Sequence, residues 1–309
     1  MNRICVLGSI NMDIVISVDY IPRVGETIIA HEQKMNAGGK GSNQAIAAAR
    51  LGADVSFIGK LGNDDNGKIL FDIIKNENID VEHILIDENK PSGKAIIFVS
   101  KKGDNSIVVI PGSNMSITST EIENGSDIIK SSDIIISQFE VPIDCIISAF
   151  KIARENGVLT VLNPAPARDI PDELLKLVDI IIPNETEASN LTGIEVKDEA
   201  SAKKASEYFL GKGIKYVIIT LGEKGAALCS RGSYHFIPSY KVKAIDTTAA
   251  GDAFIGALCS KLCKQSDIDI DILKESIDFA NYISSKVVQR EGAVPSLPHL
   301  QELNCTNAK

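Results

Sequence analysis

Asp252 has a sequence context that could support proton transfer beside a phosphate. The segment AIDTTAAGDAFIGALCSKLC predicts small residues followed by an amphipathic helix that carries Asp252 in its first turn. A helix N-terminus offers unpaired N–H groups and the positive end of the helix dipole. The preceding Ala249, Ala250 and Gly251 would let a phosphate approach these groups, and a carboxylate beside them could accept a hydroxyl proton. The alternative is that Asp252 only complements the dipole while Asp246 caps the helix.

A second segment, NAGGKGSNQAIAAARLG, predicts a glycine-rich turn that opens a helix of small residues. Gly38, Gly39 and Gly41 could allow a hydroxyl or phosphate to approach the backbone, or they could form a hinge or turn. The spacing is neither that of a Walker A loop nor that of a dinucleotide-binding fingerprint. Lys40 and Asn43 would supply donors suited to sugar hydroxyls, although either could be a solvated or capping residue.

The third segment, DIIIPNETEASNLTG, reads as a buried strand followed by the start of a helix. Ligands gather at the ends of strands in open α/β sheets, and carboxylate oxygens suit hydrated Mg²⁺ near ATP phosphates. Asn184 and Glu187 are also spaced as a capping box, which would explain them without any ligand. The segment alone leaves both interpretations open.

Other candidate residues follow predicted strands. Gly222 and Gly225 lie in VIITLGEKGAAL, where they form a turn and could also wall a nucleotide pocket. Asn11 and Asp13 follow the first strand, and Glu140 follows the strand DIIISQF. Each could bind a hydroxyl group or simply stabilise a turn.

The elements that must position these residues alternate between short Val/Ile-rich strands and helical patterns. Nearly continuous apolar strands indicate a parallel sheet covered on both faces, so we predict a Rossmann-like three-layer α/β/α sandwich. Two regions, roughly residues 13–37 and 82–111, lack an intervening helix and read as antiparallel ribbons. They could pair into a small discontinuous β-sheet lid, or they could be separate edge hairpins.

Composition sets the broad class of the protein. The chain has 309 residues, 44% of them hydrophobic, with a net charge of -9, so we expect one globular domain over residues 1–309. The negative charge argues against nucleic acid and membrane surfaces as partners. The sequence shows neither a secretory signal nor a membrane-spanning stretch, so we expect a cytoplasmic protein. Six scattered cysteines predict buried thiols rather than disulfides or a zinc site: Cys5, Cys145, Cys229, Cys259, Cys263 and Cys305.

Together these segments resemble the ribokinase family of carbohydrate kinases, in order from GSINMD to REGAVPSLP. The most specific motifs are GGKGSNQA and DTTAAGDAF. The resemblance implies a central sheet between helices with a small β lid. It also implies that γ-phosphoryl transfer from ATP yields a sugar phosphate, with O5 of D-ribose as the expected acceptor. Alternatives are fructokinase, deoxyribokinase, ketodeoxygluconate kinase and nucleoside kinase activities, or a non-catalytic sugar-binding regulator.

Site residues carried over by motif include Asp252 as the catalytic base and the N–H groups of Ala249 to Asp252 as an anion hole. Those expected to hold the sugar are Asn11, Met12, Asp13, Gly39, Lys40, Gly41, Ser42, Asn43, Glu140 and Asp252. Those expected to hold ATP with Mg²⁺ are Asn184, Glu187, Thr220, Leu221, Gly222, Glu223, Lys224, Gly225, Gly251, Asp252 and Asn281. Asn281 stands where some members have His.

The resemblance further implies potassium activation and a homodimer formed through the lid. The cation would be held by Asp246, Thr248, Val287, Arg290, Gly292 and Ser296, with the Arg290 side chain pointing away. Ala249 stands where the broader family often has Gly. That difference matters only if the local backbone requires a positive φ.

Overall fold

The computed structural model describes residues 2–265 and 267–304, whose strands form two sheets. The strands are β1 (Arg3–Leu7), β2 (Asn11–Val18), β3 (Glu32–Gly38), β4 (Asp54–Gly62), β5 (Ile84–Asp87), β6 (Gly93–Ser100), β7 (Asn105–Ile110), β8 (Ile134–Gln138), β9 (Leu159–Asn163), β10 (Ile180–Ile181), β11 (Tyr216–Thr220), β12 (Gly225–Ser230) and β13 (Ser233–Pro238). The helices are α1 (Lys40–Arg50), α2 (Asp65–Asn76), α3 (Ser119–Asn124), α4 (Ser126–Lys130), α5 (Ile143–Glu155), α6 (Asp172–Leu175), α7 (Glu185–Thr192), α8 (Glu199–Gly211), α9 (Ala250–Leu262), α10 (Ile270–Val287) and α11 (Leu300–Asn304). Short 3-10 helices cover Gly112–Ser116, Gly222–Lys224 and Val294–Ser296.

The main sheet has nine strands in the order β13-β12-β11-β10-β9-β8-β1-β4-β5. All neighbours from β11 to β5 pair in parallel, and β12 and β13 add an antiparallel edge. Along β1, Ile4 and Val6 face one apolar core while Cys5 and Leu7 face the other, as the alternation of strand side chains requires. The sheet is therefore buried on both faces, which confirms the predicted α/β/α sandwich.

The second sheet has the order β3-β2-β6-β7. Its two hairpins, β2 with β3 and β6 with β7, are antiparallel as predicted, and they join through parallel pairing of β2 with β6. The predicted boundary at residue 82 is wrong, because Ile84–Asp87 pairs in parallel with β4 at the edge of the main sheet. This strand follows helix α2, so it completes a βαβ crossover.

Helices α1 and α9 pack together at Gly256. A Cβ atom at this position would lie 2.6 Å from Ala47 Cβ and 2.7 Å from the carbonyl oxygen of Gln44. Only glycine therefore permits this approach without a local shift. Gly256 lies one helical turn after Asp252, so the contact brings the start of α9 against the polar residues of α1.

The remaining sequence expectations concern cysteines and membrane segments. Five of the six cysteines are buried and free of disulfides, while Cys305 lies outside the described residues. Among the helices in the described part of the chain, none is long and apolar enough to span a bilayer.

Candidate active site

The carboxylate of Asp252 lies in the first turn of α9, where it accepts two side-chain hydrogen bonds from α1. Asn43 Nδ2 donates to Oδ2 and Gln44 Nε2 donates to Oδ1, each at 3.0 Å. Asp252 is 9% exposed. The sequence identified Asp252 and Asn43 but missed Gln44, although a polar residue in a helix of alanines is itself a signal.

Ala249 precedes α9 with φ 59° and ψ 8°, in the left-handed region. The sequence left open whether this position needs a positive φ, and the structure shows that it does. The Ala250 N–H is bonded to the Thr247 carbonyl at 3.2 Å. By contrast, the backbone N–H groups of Ala249, Gly251 and Asp252 make no hydrogen bond within the described part of the chain. Of the four predicted anion-hole donors, three are therefore unpaired, two of them at the start of α9, and that of Ala250 is not.

Glu140 joins two predicted sugar-binding segments. Its Oε2 accepts hydrogen bonds from the Ser9 hydroxyl and, at 3.2 Å, from the Lys40 backbone N–H. Asp13, on β2, packs against Gly38, where any Cβ would collide with its carboxylate. This collision explains why glycine is needed at residue 38.

A cavity of about 250 Å³ lies between the second sheet and the carboxyl end of β8. Its lining residues are Asn11, Val109, Pro111, Asn114, Met115, Phe139, Glu140 and Pro166. Asn114, which the sequence analysis missed, donates to Asn11 Oδ1 at 2.8 Å and accepts from the Ile10 N–H at 2.9 Å. Asn114 lies in a short 3-10 helix, so its orienting role depends on tertiary structure that no local pattern indicates.

The charged groups around Asp252 shift one another's pKa values. Burial raises the pKa of Asp252, while Lys40 and the two amide donors oppose the rise. Burial, with repulsion from Glu140 and Asp252, raises the pKa of Asp13 to about 7. Burial lowers the pKa of Lys40, but the surrounding carboxylates outweigh it and leave that pKa raised. Lys40 is therefore the positive charge that offsets the carboxyls of Asp13, Glu140 and Asp252.

Three other predicted sugar residues present no side chain to the cavity. Met12 is 2% exposed and packs in the apolar core. The Ser42 hydroxyl donates to the carbonyls of Gly38 and Gly39, and Gly41 is confined by the backbone of Gly8 and Ser9. The Ser42 side chain therefore stabilises the turn and that of Met12 fills the core, and neither lines the cavity.

Asn184 and Glu187 form the capping box that the sequence allowed. Asn184 Oδ1 accepts from the Glu187 N–H at 2.8 Å, and Glu187 Oε2 accepts from the Asn184 N–H at 2.9 Å. Burial raises the pKa of Glu187, while its hydrogen bond from Asn184 and the charge on Lys40 oppose the rise. The structure therefore shows the capping interpretation, and the magnesium role stays a prediction.

The turn predicted to border the nucleotide follows β11. Gly222 and Gly225 have φ values of 53° and 127°, and a Cβ at Gly225 would collide with the Ile237 carbonyl. Thr220 N donates to the Pro183 carbonyl at 3.0 Å, and Leu221 N donates to the Gly225 carbonyl at 2.8 Å. The first bond joins the turn to the end of the strand before α7, and the second closes the turn itself.

Two side chains predicted near the nucleotide are already occupied. Lys224 Nζ donates to the Lys197 carbonyl at 2.8 Å. Asn281 Nδ2 donates to the carbonyls of Ile237 and Pro238, both at 3.2 Å. Asn281 thus anchors α10 to the end of β13. The backbone of Glu223, another predicted nucleotide residue, is also bonded, because its carbonyl oxygen accepts a hydrogen bond from the Ser239 hydroxyl.

Two of the predicted cation residues, Thr248 and Gly292, contact Asp246 directly. Its Oδ1 accepts from the Thr248 N–H and hydroxyl at 2.9 and 2.6 Å, and its Oδ2 accepts from the Gly292 N–H at 2.8 Å. The Arg290 side chain pairs with Glu302 at 2.6 Å. The Ser296 hydroxyl donates to the Ala293 carbonyl, and the Val287 carbonyl accepts from the Arg290 N–H.

Comparison with known proteins identifies the family. The family model for pfkB family carbohydrate kinases matches residues 1–300. The chain is 47% identical over 304 residues to a ribokinase of Staphylococcus aureus, covering 98% of this chain and 99% of the relative. It is 45% identical over 297 residues to a ribokinase of Haemophilus influenzae, covering 96% and 95%. A solved structure of Arabidopsis thaliana ribokinase complexed with ribose and ATP matches with a TM-score of 0.91 and 31% identity over 99% of both chains. The chain therefore belongs to the pfkB family of carbohydrate kinases, as its motifs predicted.

Proposed function

We propose that this protein transfers the γ-phosphoryl group of ATP to O5 of D-ribose, yielding D-ribose 5-phosphate and ADP. The observation that carries the proposal is the buried Asp252 carboxylate beside two unpaired N–H groups at the start of α9. A base and an anion-stabilising helix end are what phosphoryl transfer to a hydroxyl requires. The relatives named as ribokinases and the small polar cavity support ribose as the acceptor.

In the proposed reaction, Asp252 accepts the proton of the O5 hydroxyl while that oxygen attacks the γ-phosphorus in line. The N–H groups of Gly251 and Asp252 would donate to the transferring phosphoryl oxygens. Asn11, Asp13 and Glu140 would orient the sugar through its other hydroxyl groups. The turn that carries the proton acceptor, Asp252, would therefore also donate the N–H groups that stabilise the charge developing on the phosphoryl oxygens.

Both proposed metal ions have oxygen ligands available in the chain. Asn184 and Glu187 would support hydrated Mg²⁺, which shields phosphate charge when bound. Asp246, with the Thr248, Val287, Arg290 and Gly292 carbonyls and the Ser296 hydroxyl, would hold K⁺. The carbonyl and carboxylate oxygens there fit a hard monovalent cation, which would order the turn before α9 without contacting the sugar.

The second sheet, over residues 11–38 and 93–110, is proposed to be the lid of one kinase domain and a homodimer surface. On its outer strand β7, Ile107 is 55% exposed, and Val108, Val109 and Ile110 are also exposed. An apolar edge strand favours pairing with another chain. We also place the enzyme in the cytoplasm, where ATP is available and the five buried free thiols would stay reduced.

A sugar panel tests the proposed function. ADP release is measured with Mg-ATP and D-ribose, 2-deoxyribose, fructose, ketodeoxygluconate or adenosine, and the phosphorylated carbon is identified by NMR. We expect the highest kcat/KM for ribose, with phosphate on C5, because the cavity is small and an acceptor lacking a ribose hydroxyl, such as 2-deoxyribose, leaves a polar group of the site unpaired. A higher kcat/KM for another acceptor would reassign the substrate, and the absence of ADP release with all of them would indicate a non-catalytic regulator.

A further inference from the structure

The Asp252 carboxylate is the end of a buried chain of amide groups that runs into the main sheet. Gln138 Nε2 donates to Gln44 Oε1 at 2.6 Å, and Gln44 Nε2 donates to Asp252 Oδ1 at 3.0 Å. Gln44 Nε2 also lies 3.2 Å from Asn163 Oδ1. Gln44 and Gln138 are both 0% exposed. The amide of Gln44 is thus restrained from three directions.

The carboxylate fixes the polarity of this chain. An ionised carboxylate only accepts hydrogen bonds, so Gln44 must present its NH₂ group to Asp252 and its oxygen to Gln138. Gln138 must then donate from its Nε2 to Gln44, so its own Oε1 points away from Gln44. That buried oxygen has no hydrogen-bond partner within the described residues, and a Cβ atom on Gly8 would collide with it.

A purely structural role explains this arrangement poorly. Leaving a buried carbonyl oxygen without a donor is unfavourable, whereas methionines of similar length would fill the same space without polar atoms. The chain keeps two buried amides, one of which carries an unpaired oxygen, and both point their donors toward the Asp252 carboxylate. The direction of the two hydrogen bonds, from Gln138 to Gln44 and from Gln44 to Asp252, indicates that the chain serves the Asp252 carboxylate.

We propose that Gln44 is a positioning residue for Asp252, held in its orientation by Gln138. With Asn43 on the other oxygen, Gln44 fixes the plane of the carboxylate, so that the remaining lone pairs take the proton from the substrate hydroxyl. Its donated hydrogen bond also favours the ionised form, which burial disfavours. The proposal rests on the proposed role of Asp252 as the base.

Other charged groups act on Asp252 from neighbouring elements. Lys40 of α1 stabilises its charge, while Glu140 after β8, Glu187 of α7 and Asp13 of β2 oppose it. The pKa of Asp13 is also raised, to about 7, so an activity profile alone does not distinguish the two carboxyls. The ¹³C resonance of the Asp252 carboxyl, assigned by its loss in Asp252→Asn, reports the pKa directly.

Gln44→Met removes the donor at nearly constant side-chain length. We expect kcat to fall roughly 10- to 100-fold, as when a general base is misoriented, with KM for ribose and ATP changed less than about threefold. The pKa of Asp252 should rise, because the Gln44 hydrogen bond lowers it, and the acid limb of kcat/KM should move to higher pH. Ser206→Ala, which removes a buried hydroxyl on α8, is the control and should change neither quantity.

A double-mutant cycle of Gln44→Met with Asp252→Asn distinguishes a role of Gln44 in positioning Asp252 from a role in packing the core. If Gln44 acts through Asp252, Gln44→Met causes no further loss in the Asp252→Asn background. If Gln44→Met lowers kcat by the same factor in both backgrounds, or leaves the pKa of Asp252 unchanged, the proposal is wrong. If Gln44→Met does not fold, Gln138→Met carries the test, with a smaller shift of the Asp252 pKa in the same direction expected and no shift contradicting it. Because the ¹³C titration needs no turnover, it tests the inference even if wild-type protein fails to phosphorylate ribose.

Discussion

The Asp246 carboxylate accepts a hydrogen bond from the Gly292 N–H at 2.8 Å, joining two loops 46 residues apart in sequence. The same carboxylate holds Thr248, which immediately precedes the left-handed turn at Ala249. A cation bound here would therefore be connected to the anion-binding turn through a short segment of backbone.

We predict that K⁺ raises kcat with little effect on the KM for ribose, because it orders that turn rather than binding the sugar. The measurement is a KCl titration in sodium- and potassium-free buffer against an organic-cation salt at equal ionic strength. Asp246→Ala should weaken the apparent affinity for K⁺ by roughly 10- to 100-fold. A flat kcat in wild-type protein would reject the cation site while leaving the kinase assignment intact.

Hydrogen bonds from Thr248 and Gly292 outweigh burial and hold the pKa of Asp246 below its usual value. Activation by K⁺ should therefore persist unchanged from pH 8 down to about pH 5, where an ordinary carboxyl is still ionised. Loss of the K⁺ response between pH 7 and 6 would contradict an ionised Asp246 in this role.

Ala249 occupies a backbone conformation that costs an L-residue roughly 1 to 2 kcal/mol. We predict that Ala249→Gly is more stable than Ala250→Gly by about that amount in urea unfolding. The two variants make the same change to the unfolded chain, but only residue 249 has a positive φ. Equal free energies of unfolding for the two variants would show that Ala249 is not strained.

Closure of the proposed lid should protect the backbone amides of the second sheet from hydrogen exchange, but not those at the neighbouring edge of the main sheet. We predict that saturating ribose slows amide hydrogen exchange over residues 11–38 and 93–110, through rotation near Gly38 and Gly39. Residues 84–87 belong to the main sheet and provide an internal control. Unchanged exchange in the second sheet, or equal protection of residues 84–87, would contradict closure at this pair of glycines.

Ile107→Lys should weaken the proposed lid-mediated dimer by roughly 30-fold or more, the effect of about 2 kcal/mol at an interface centre. Sedimentation equilibrium would measure the dissociation constant. Ile69→Lys on α2 is a matched control, since Ile69 is 48% exposed outside the second sheet. A monomeric wild-type protein, or equal effects of both substitutions on the dissociation constant, would show that β7 does not form a dimer interface.

The sequence predicted the residues that lie at strand and helix ends. Asn11 and Glu140 lie close together because the carboxyl ends of the parallel strands β1 and β8 share one edge, which a βαβ pattern already implies. Gln44 was missed because its role depends on the approach of α1 to α9 at Gly256, and that packing is not visible in either segment alone. The lid boundary was misplaced because turn residues before Gly93 resemble a hairpin, while the pairing of β5 depends on the α2 crossover.

The most direct test of the account is the kinetics of Asp252→Asn. The substitution preserves the size of the side chain but removes the proton acceptor, so we predict that kcat falls roughly 10²- to 10⁴-fold. The dissociation constant for ATP, measured by calorimetry, should change little, and circular dichroism should report an intact fold. Near-normal turnover by a folded Asp252→Asn protein would contradict the assignment of Asp252 as the base.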